Sequence, residues 1–473
     1  MDDKYLNEDK EKLIKIIDEN KDIFIEASMH IWENPELSMQ EYEASRSLSK
    51  LLEDNGFDVE LGVADIPTAF VATYGKGDPV IGFSSEYDAL PGLSQKNDSN
   101  TKEPITPFAP GHGCGHNLLA LGGVQAAVAL KKLMEEKGLK GTIKVFGTPA
   151  EELCIGKPYM ARAGLFDGLD AVVDWHPANF NSPGYCDTNA YFNVKYHFYG
   201  KNAHGNAPWM GISALDSSML MGHALEILRE HIRPGTETSP STLNYVFPDV
   251  GNSFPNVVPA KSTIWIVGRL KDAEMAADVM KRVRNCAYGC AQATGTTVEE
   301  EVITATHDMI PNRELSLAIE KNFEIVGTVD YSEKDEIDAK EVQKAVGCEV
   351  TGYDRSVMKP KEGSMPVTDS SEYSWYAPVG FFNLALCPSI ETAGHSWSVC
   401  KFAGSEVGMK TMVTSSKLLA LTAYDALTDK ALLDRAKKEL ETRLGNRKYK
   451  TLLPEDAKPD LDTNKDIMEK FKK

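Results

Sequence analysis

The chain has 473 residues, 42% of them hydrophobic and 26% charged, the balance of a water-soluble globular protein with more than one domain. Its formal net charge of -19 excludes a general nucleic-acid or anionic-membrane binder, since both need a basic surface. The opening Met1-Asp2-Asp3-Lys4 is charged, no cleavable apolar segment follows, and the eight cysteines lack a disulfide-framework spacing, so reduced thiols in a cytoplasm are expected.

Helical periodicity runs from about 6 to 31, with Leu6, Leu13, Ile16, Ile17, Phe24 and Ile25 on one side, and stops before Pro35. A second helix is predicted over 41–55, up to Gly56. Strand-like runs at 69–74, 79–83, 142–146 and 171–174 then alternate with helices, which reads as an α/β domain with a mostly parallel sheet. The apolar run 118–130 is too short to span a bilayer and reads as a buried helix. Near Asn189 the pattern changes. A strand at 191–198, a helix at 214–231, strands at 241–247 and 262–270, a helix at 273–294 and a strand at 297–302 give the order of a ferredoxin-like α+β unit. After Pro311 the α/β pattern resumes, with a buried strand at 380–386. The expected organisation is a discontinuous domain, 1–188 and 306–473, with 189–305 inserted. From Lys430 the chain is highly charged and reads as a solvated helix and tail. No Walker loop or strand-linked G-x-G-x-x-G is present.

The chemistry is concentrated in Gly111-His112-Gly113-Cys114-Gly115-His116-Asn117. Glycines let the backbone turn tightly, while thiolate and imidazole suit soft and borderline metal ions. Glu151 and Glu152, His176, His395 and, in Glu86-Tyr87-Asp88-Ala89-Leu90-Pro91, Asp88 all come after predicted strands. Ligand sites in open α/β sheets gather at such carboxyl ends. Cys114, His116, Glu152, His176 and His395 together suffice for a two-metal hydrolytic site, and a thiolate can bridge two cations. Paired glutamates in extended chain point to opposite sides, so one can bind metal while the other carries a proton. Taken singly, each residue has a plainer reading: a buried thiol, packed or loop histidines, acids at a helix start. The set favours the metal site. His112 reads equally as a ligand or a structural histidine. His204, in the Gly-flanked loop 200–208, either reaches over the site or is a polar turn residue. Cys286 and Cys290 read as packed thiols.

The segments 86–91, 113–117 and 149–152 resemble the amidohydrolases and metallopeptidases that include aminoacylase, carboxypeptidase G-type enzymes and auxin-conjugate hydrolases, over about 31–421. The resemblance implies a di-metal hydrolase domain with an inserted lid and dimerisation domain. It makes Cys114, His116, Glu152, His176 and His395 the ligands of two divalent ions, Mn or Zn. It makes Glu151 the general acid/base, and Asp88 the residue that orients a ligand imidazole. His204 would stabilise the oxyanion, often across a dimer interface, and Asn256 and Arg269 would bind substrate. This chain departs from many relatives with Asn117 in place of Asp, a loosely similar segment at 368–375, and Ser396-Trp397-Ser398 after His395. The implied reaction is attack of a metal-activated water on the amide of an N-acyl or N-aroyl amino acid. The implied partners are that small molecule and a second copy in a homodimer, or a related second subunit. The alternatives are a metallo-dipeptidase, a hydrolase with Cys114 as nucleophile, and a non-catalytic partner subunit.

Overall fold

Buried strands of Val, Ile and Phe build a seven-stranded sheet, seen in a computed structural model that describes residues 5–236, 239–252 and 254–471. The opening Met1-Asp2-Asp3-Lys4 lies outside these. The first half of the chain contains α1 (Glu8–Glu33), α2 (Tyr42–Asp54), β1 (Asp58–Leu61), β2 (Phe70–Lys76), β3 (Val80–Glu86), α3 (His116–Lys137), β4 (Gly141–Thr148), α4 (Gly156–Arg162), β5 (Ala171–Ala178), β6 (Ser182–Pro183) and β7 (Cys186–Asp187). The Asn7 side chain caps α1 by accepting from the Lys10 amide, and Leu13, Ile16, Ile17 and Phe24 are buried as the periodicity requires.

The inserted elements are β8 (Ala190–Tyr199), α5 (Ala214–Glu230), β9 (Thr242–Asp249), β10 (Lys261–Leu270), α6 (Ala273–Thr294) and β11 (Thr297–Thr306). The chain then returns through α7 (Arg313–Val326), α8 (Glu333–Val346), β12 (Gly363–Ser364), β13 (Val379–Ala385), α9 (Trp397–Ala403), α10 (Glu406–Thr428), α11 (Lys430–Leu444) and α12 (Lys465–Met468).

The large sheet has the order β1-β2-β4-β3-β5-β13-β6. Its four central strands, β4, β3, β5 and β13, are parallel, and antiparallel pairs flank them. Helices cover both faces, as a parallel sheet buried on two sides requires. Leu118, Leu121 and Leu130 of α3 pack with Ile81, Phe83, Ile143 and Val173 on one face. Phe146, Val172 and Phe381 pack with Tyr159 and Met160 of α4 on the other.

The second sheet is antiparallel with the order β11-β8-β10-β9, carrying α5 and α6. This is the expected β-α-β-β-α-β unit.

The charged C-terminus departs from expectation. α11 buries Leu432, Leu433, Ala436 and Leu440, so it is amphipathic rather than solvated all round. Beyond it the chain runs across the body as a strap. The Lys450 carbonyl faces His307 Nε2 at 3.1 Å, and Arg162 donates to the carbonyls of Pro454 and Ala457 at 2.9 and 2.8 Å. Leu453 and Met468 are buried. Long charged side chains keep their heads in water while a few apolar residues anchor the segment, which composition alone does not reveal.

No helix among the described residues is long and apolar enough to cross a membrane. The close seating of α3 on β3 is testable at Gly123, where a Cβ would lie 2.3 Å from the Ser84 carbonyl oxygen. Gly123→Ala should lower unfolding free energy by about 1–3 kcal/mol, measured by urea denaturation. Unchanged stability would mean that the helix has room to shift.

Candidate metal centre

The parallel strands end along one edge, and that edge collects the polar residues. Glu86 is the last residue of β3 and Asp88 follows it, Glu151 and Glu152 follow β4, His176 lies in β5, and His395 comes after β13. Cys114 and His116 enter at the start of α3, on either side of Gly115. Gly115 has φ 81°, which an L side chain rarely adopts, and a Cβ there would sit 3.1 Å from the Pro177 ring. The paired glutamates are not in extended chain, as the sequence suggested. They form a 3₁₀ turn between Ala150 at φ 57° and Cys154 at φ 54°. A turn lets both carboxylates face the same side.

Cys114 Sγ lies 3.3 Å from His176 Nε2, and His395 Nε2 lies 3.2 Å from Glu152 Oε2. His116 Nε2 faces Glu86 at 3.7 Å, Glu151 at 3.8 Å and Glu152 at 4.0 Å. Two donor sets share the thiol: Cys114 with His116 and His176, and Cys114 with Glu152 and His395. A third set joins Glu86, His116 and Glu151. His116 Nε2 and Glu152 Oε1 are buried with no hydrogen-bond partner. Buried polar atoms are rarely left unpaired, so the donor set fits divalent cations by its own geometry.

Asp88 stands behind the donor cluster. Its carboxylate accepts from His116 Nδ1 at 2.9 Å, from Ser38 Oγ at 2.7 Å and from the Glu152 amide at 3.0 Å. That leaves His116 Nε2 to face the cluster. Burial, then Glu86, pushes Glu151 up to about 7. Burial and Glu151 push Glu152 up to about 8, against the pull of His116. Burial and His116 hold His176 down to about 4. Burial, then Glu152, raises the Cys114 thiol. Burial opposes a charge on His116, but Cys114 and Asp88 outweigh it and raise its pKa well above the usual value.

The model of peptidase family M20/M25/M40 matches residues 82–413, most of the chain and every donor named above. The chain belongs to that family. It is therefore a metal-dependent hydrolase of the peptidase and amidohydrolase class. It is 30% identical to one chain of the p-aminobenzoyl-glutamate hydrolase of Escherichia coli (strain K12), over 94% of this chain and 97% of that one. It is 29% identical to the Xaa-Arg dipeptidase of Mus musculus, over 92% and 93%. A Klebsiella pneumoniae aminobenzoyl-glutamate utilization protein superposes with a TM-score of 0.59 at 15% identity, covering 87% of this chain and 98% of that one. At that identity the likeness shows the fold alone.

A buried cation beside the cluster was missed by sequence reasoning. Lys157 is fully buried, with Nζ 2.6 Å from Glu86 and 2.5 Å from Asp369. Ser370 Oγ lies 3.1 Å from Glu86 and 2.8 Å from Asp174. The available signal was a lysine inside the apolar segment of α4, since a buried lysine needs acidic partners. His112 is buried, with Nε2 3.1 Å from the Ile31 carbonyl, and among the described residues it joins no donor set. Asn117 donates to Ser28 and to the Ala403 carbonyl rather than to a ligand.

Three predicted residues are not in the cluster. His204 is exposed and forms an isolated bridge with Val257, beside Asn256, whose carbonyl accepts from the Gly205 amide at 2.8 Å. Arg269 is at the other end of β10, opposite Tyr191 and stacked on its ring at 5.6 Å. Eight residue-to-residue steps of strand, about 26 Å at 3.3 Å each, separate Arg269 from Lys261 at the His204 end.

The raised carboxyls give the metal-free protein a signed pH dependence. Glu151, Glu152 and Asp174, the last pushed up to about 7 by burial and then Glu86, hold protons more tightly folded than unfolded. The stability they contribute is full below the ordinary carboxyl pKa and is lost as pH rises through about 7 to 8. The midpoint of thermal unfolding in chelator should therefore fall as pH rises from about 5 to about 8 and level off above that, and added divalent metal should abolish the fall. A flat metal-free profile would mean that these carboxyls are not held neutral.

Proposed function

We propose that the chain hydrolyses the amide bond of N-acyl or N-aroyl amino acids, using two divalent cations, Mn or Zn, held by Cys114, His116, Glu152, His176 and His395. The observation that carries this reading is the Cys114 thiol shared between two donor sets, with Glu151 beside them and in neither. Bound there, the cations supply Lewis acidity to the scissile carbonyl. Glu151, pushed up to about 7 by burial and Glu86, is matched to take a proton from the attacking water and return it to the leaving amine. Asp88 orients His116. The upward push on Cys114 argues against a free thiolate nucleophile, and so against a cysteine hydrolase. Thiolate and imidazole ligands favour Zn, and the family resemblance extends the choice to Mn.

One relative belongs to a p-aminobenzoyl-glutamate hydrolase, which supports this substrate class, whereas the dipeptidase relative supports the metallo-dipeptidase alternative. Residues 189–305 act in this reading as the lid and dimerisation domain of a catalytic unit made of 1–188 and 306–473. Arg269 and Asn256 are its substrate contacts and His204 its oxyanion donor. The distance between the two ends of β10 supports contributions from two subunits. Val246, Phe247, Val250 and Phe254 are exposed on and after β9, the end strand of the lid sheet, as a homodimer contact would need. A related second subunit is the other candidate partner, since the other chain of the Escherichia coli hydrolase is 29% identical over 52% of this chain. Eight free cysteines suit a reducing compartment such as the cytoplasm.

The test is a hydrolysis screen of metal-loaded protein on p-aminobenzoyl-glutamate, N-acetyl and N-benzoyl amino acids, and Xaa-Arg dipeptides. Turnover of the acylated amino acids is expected, and Glu151→Gln should keep its metal and lose about 10²–10⁴-fold in rate. Selective cleavage of dipeptides would replace this reading with a metallo-dipeptidase. Parent-like turnover by Glu151→Gln would remove Glu151 from the mechanism.

His204→Ala should lower kcat by roughly 10²–10³ with metal content unchanged. Mixed with the Glu151→Gln protein, it should regain activity in hybrid dimers. No recovery after demonstrated subunit exchange would place the histidine's action within one chain.

A further inference from the structure

The residues that hold the centre in shape extend well behind the ligands. Ser38 Oγ donates to the Asp88 oxygen that also accepts from the Glu152 amide. Three residues on, the fully buried Glu41 carboxylate accepts from the Ala150 amide at 2.8 Å, and Thr68 Oγ1 donates to its other oxygen at 3.3 Å. Ala150 is the residue at φ 57° that opens the Glu151–Glu152 turn. A non-glycine residue in that region persists only where its surroundings over-determine it. Glu41 supplies such a restraint directly.

The segment that carries both contacts is itself strained. Met39, between Ser38 and Glu41, has φ 70° and is buried. On one side the segment lies along 88–90, where the Ala89 amide donates to the Glu36 carbonyl at 2.7 Å and Leu37 bridges Ala89. On the other side it meets the C-terminal strap. Gln40 Nε2 donates to the carbonyls of Leu461 and Thr463, both at 3.0 Å, and Asn464 Nδ2 donates to the Ser38 carbonyl at 3.1 Å. Both parts, 38–41 and 461–464, lie outside the family-matched span 82–413.

We infer that the strap and the 38–41 segment form a clamp that sets the position of Asp88 and of the turn bearing Glu151 and Glu152. Ser38 and Glu41 are positioning residues that act through Asp88 and Ala150. Gln40 and Asn464 couple them to the C-terminus. Its effect on metal affinity rests on the metal-centre reading, whereas its effect on the turn does not.

The test separates the two. Gln40→Ala with Asn464→Ala, and a chain ending after Ala457, should speed amide exchange across 149–154 in the metal-free protein by about tenfold or more. The global thermal midpoint should stay close to the parent's. Zn²⁺ and Mn²⁺ affinity by calorimetry should fall by about 10–100-fold, the usual effect of losing support behind a ligand. Ser38→Ala should weaken metal binding likewise, and Ser38→Thr, which keeps the hydroxyl, should restore it. Asn464→Ala alone, a change at the partly exposed strap, keeps the test available if the truncated chain does not fold. Parent-like exchange at 149–154 in all these variants would overturn the clamp. Faster exchange in a protein whose parent binds no metal would uphold the clamp and overturn the metal-centre reading.

Discussion

The carboxylate of Asp88 is the constraint on which the centre depends. It is fully buried and accepts from three segments remote in sequence: Ser38, His116 and the amide of Glu152. Burial opposes its charge, while the contacts with His116 and Ser38 and the Glu152 amide hold its pKa below the usual range. A buried charge is tolerated only when its lone pairs are satisfied, so each of the three segments is placed by the need of this one group. The imidazole of His116 is thereby fixed in orientation, and the glutamate turn is tethered to the end of β3.

Around that anchor the site is crowded with acid. Glu41, Glu86, Asp174, Asp369 and the Glu151–Glu152 pair are buried or nearly so, against one fully buried lysine, Lys157. Burial first, and neighbouring carboxylates after it, push carboxyl pKa values up, as seen for Glu151, Glu152 and Asp174. Such a cluster is relieved by protons when empty and by divalent cations when loaded. The strain at Ala150, Cys154 and Met39 lies in the same region. Positive φ outside glycine commonly marks positions where surrounding structure is used to hold a functional geometry.

The four-stranded sheet of the inserted unit presents a different problem of scale. One of its ends meets the body where Thr304 donates to the Cys154 carbonyl, immediately after the glutamate turn. Its other end carries His204 and Asn256 in the open, near exposed apolar residues of β9. A rigid strand cannot bring both of its ends to one cluster. In the proposed reading, the far end would act through a large rotation of the inserted unit or on a neighbour's centre.

Much of this was legible in the chain. Period-two and period-3.6 patterns located the strands and helices because burial of one face is a local demand on composition. The switch near Asn189 marked the inserted unit, and Gly-rich Cys-His and paired-glutamate segments after strands pointed to the side chains that cluster, because parallel strands deliver their carboxyl ends to one edge. Tertiary structure decided the rest. That Glu151 and Glu152 share a turn depends on a strained Ala150 held by Glu41, more than a hundred residues earlier. That Lys157 underlies the site depends on its burial against Glu86 and Asp369. That the charged C-terminus is a strap depends on a few side chain to carbonyl contacts with Gln40, Ser38 and Arg162. Local pattern reports which face of an element avoids water. Which remote polar atoms meet to satisfy one another is settled only when the whole chain has packed.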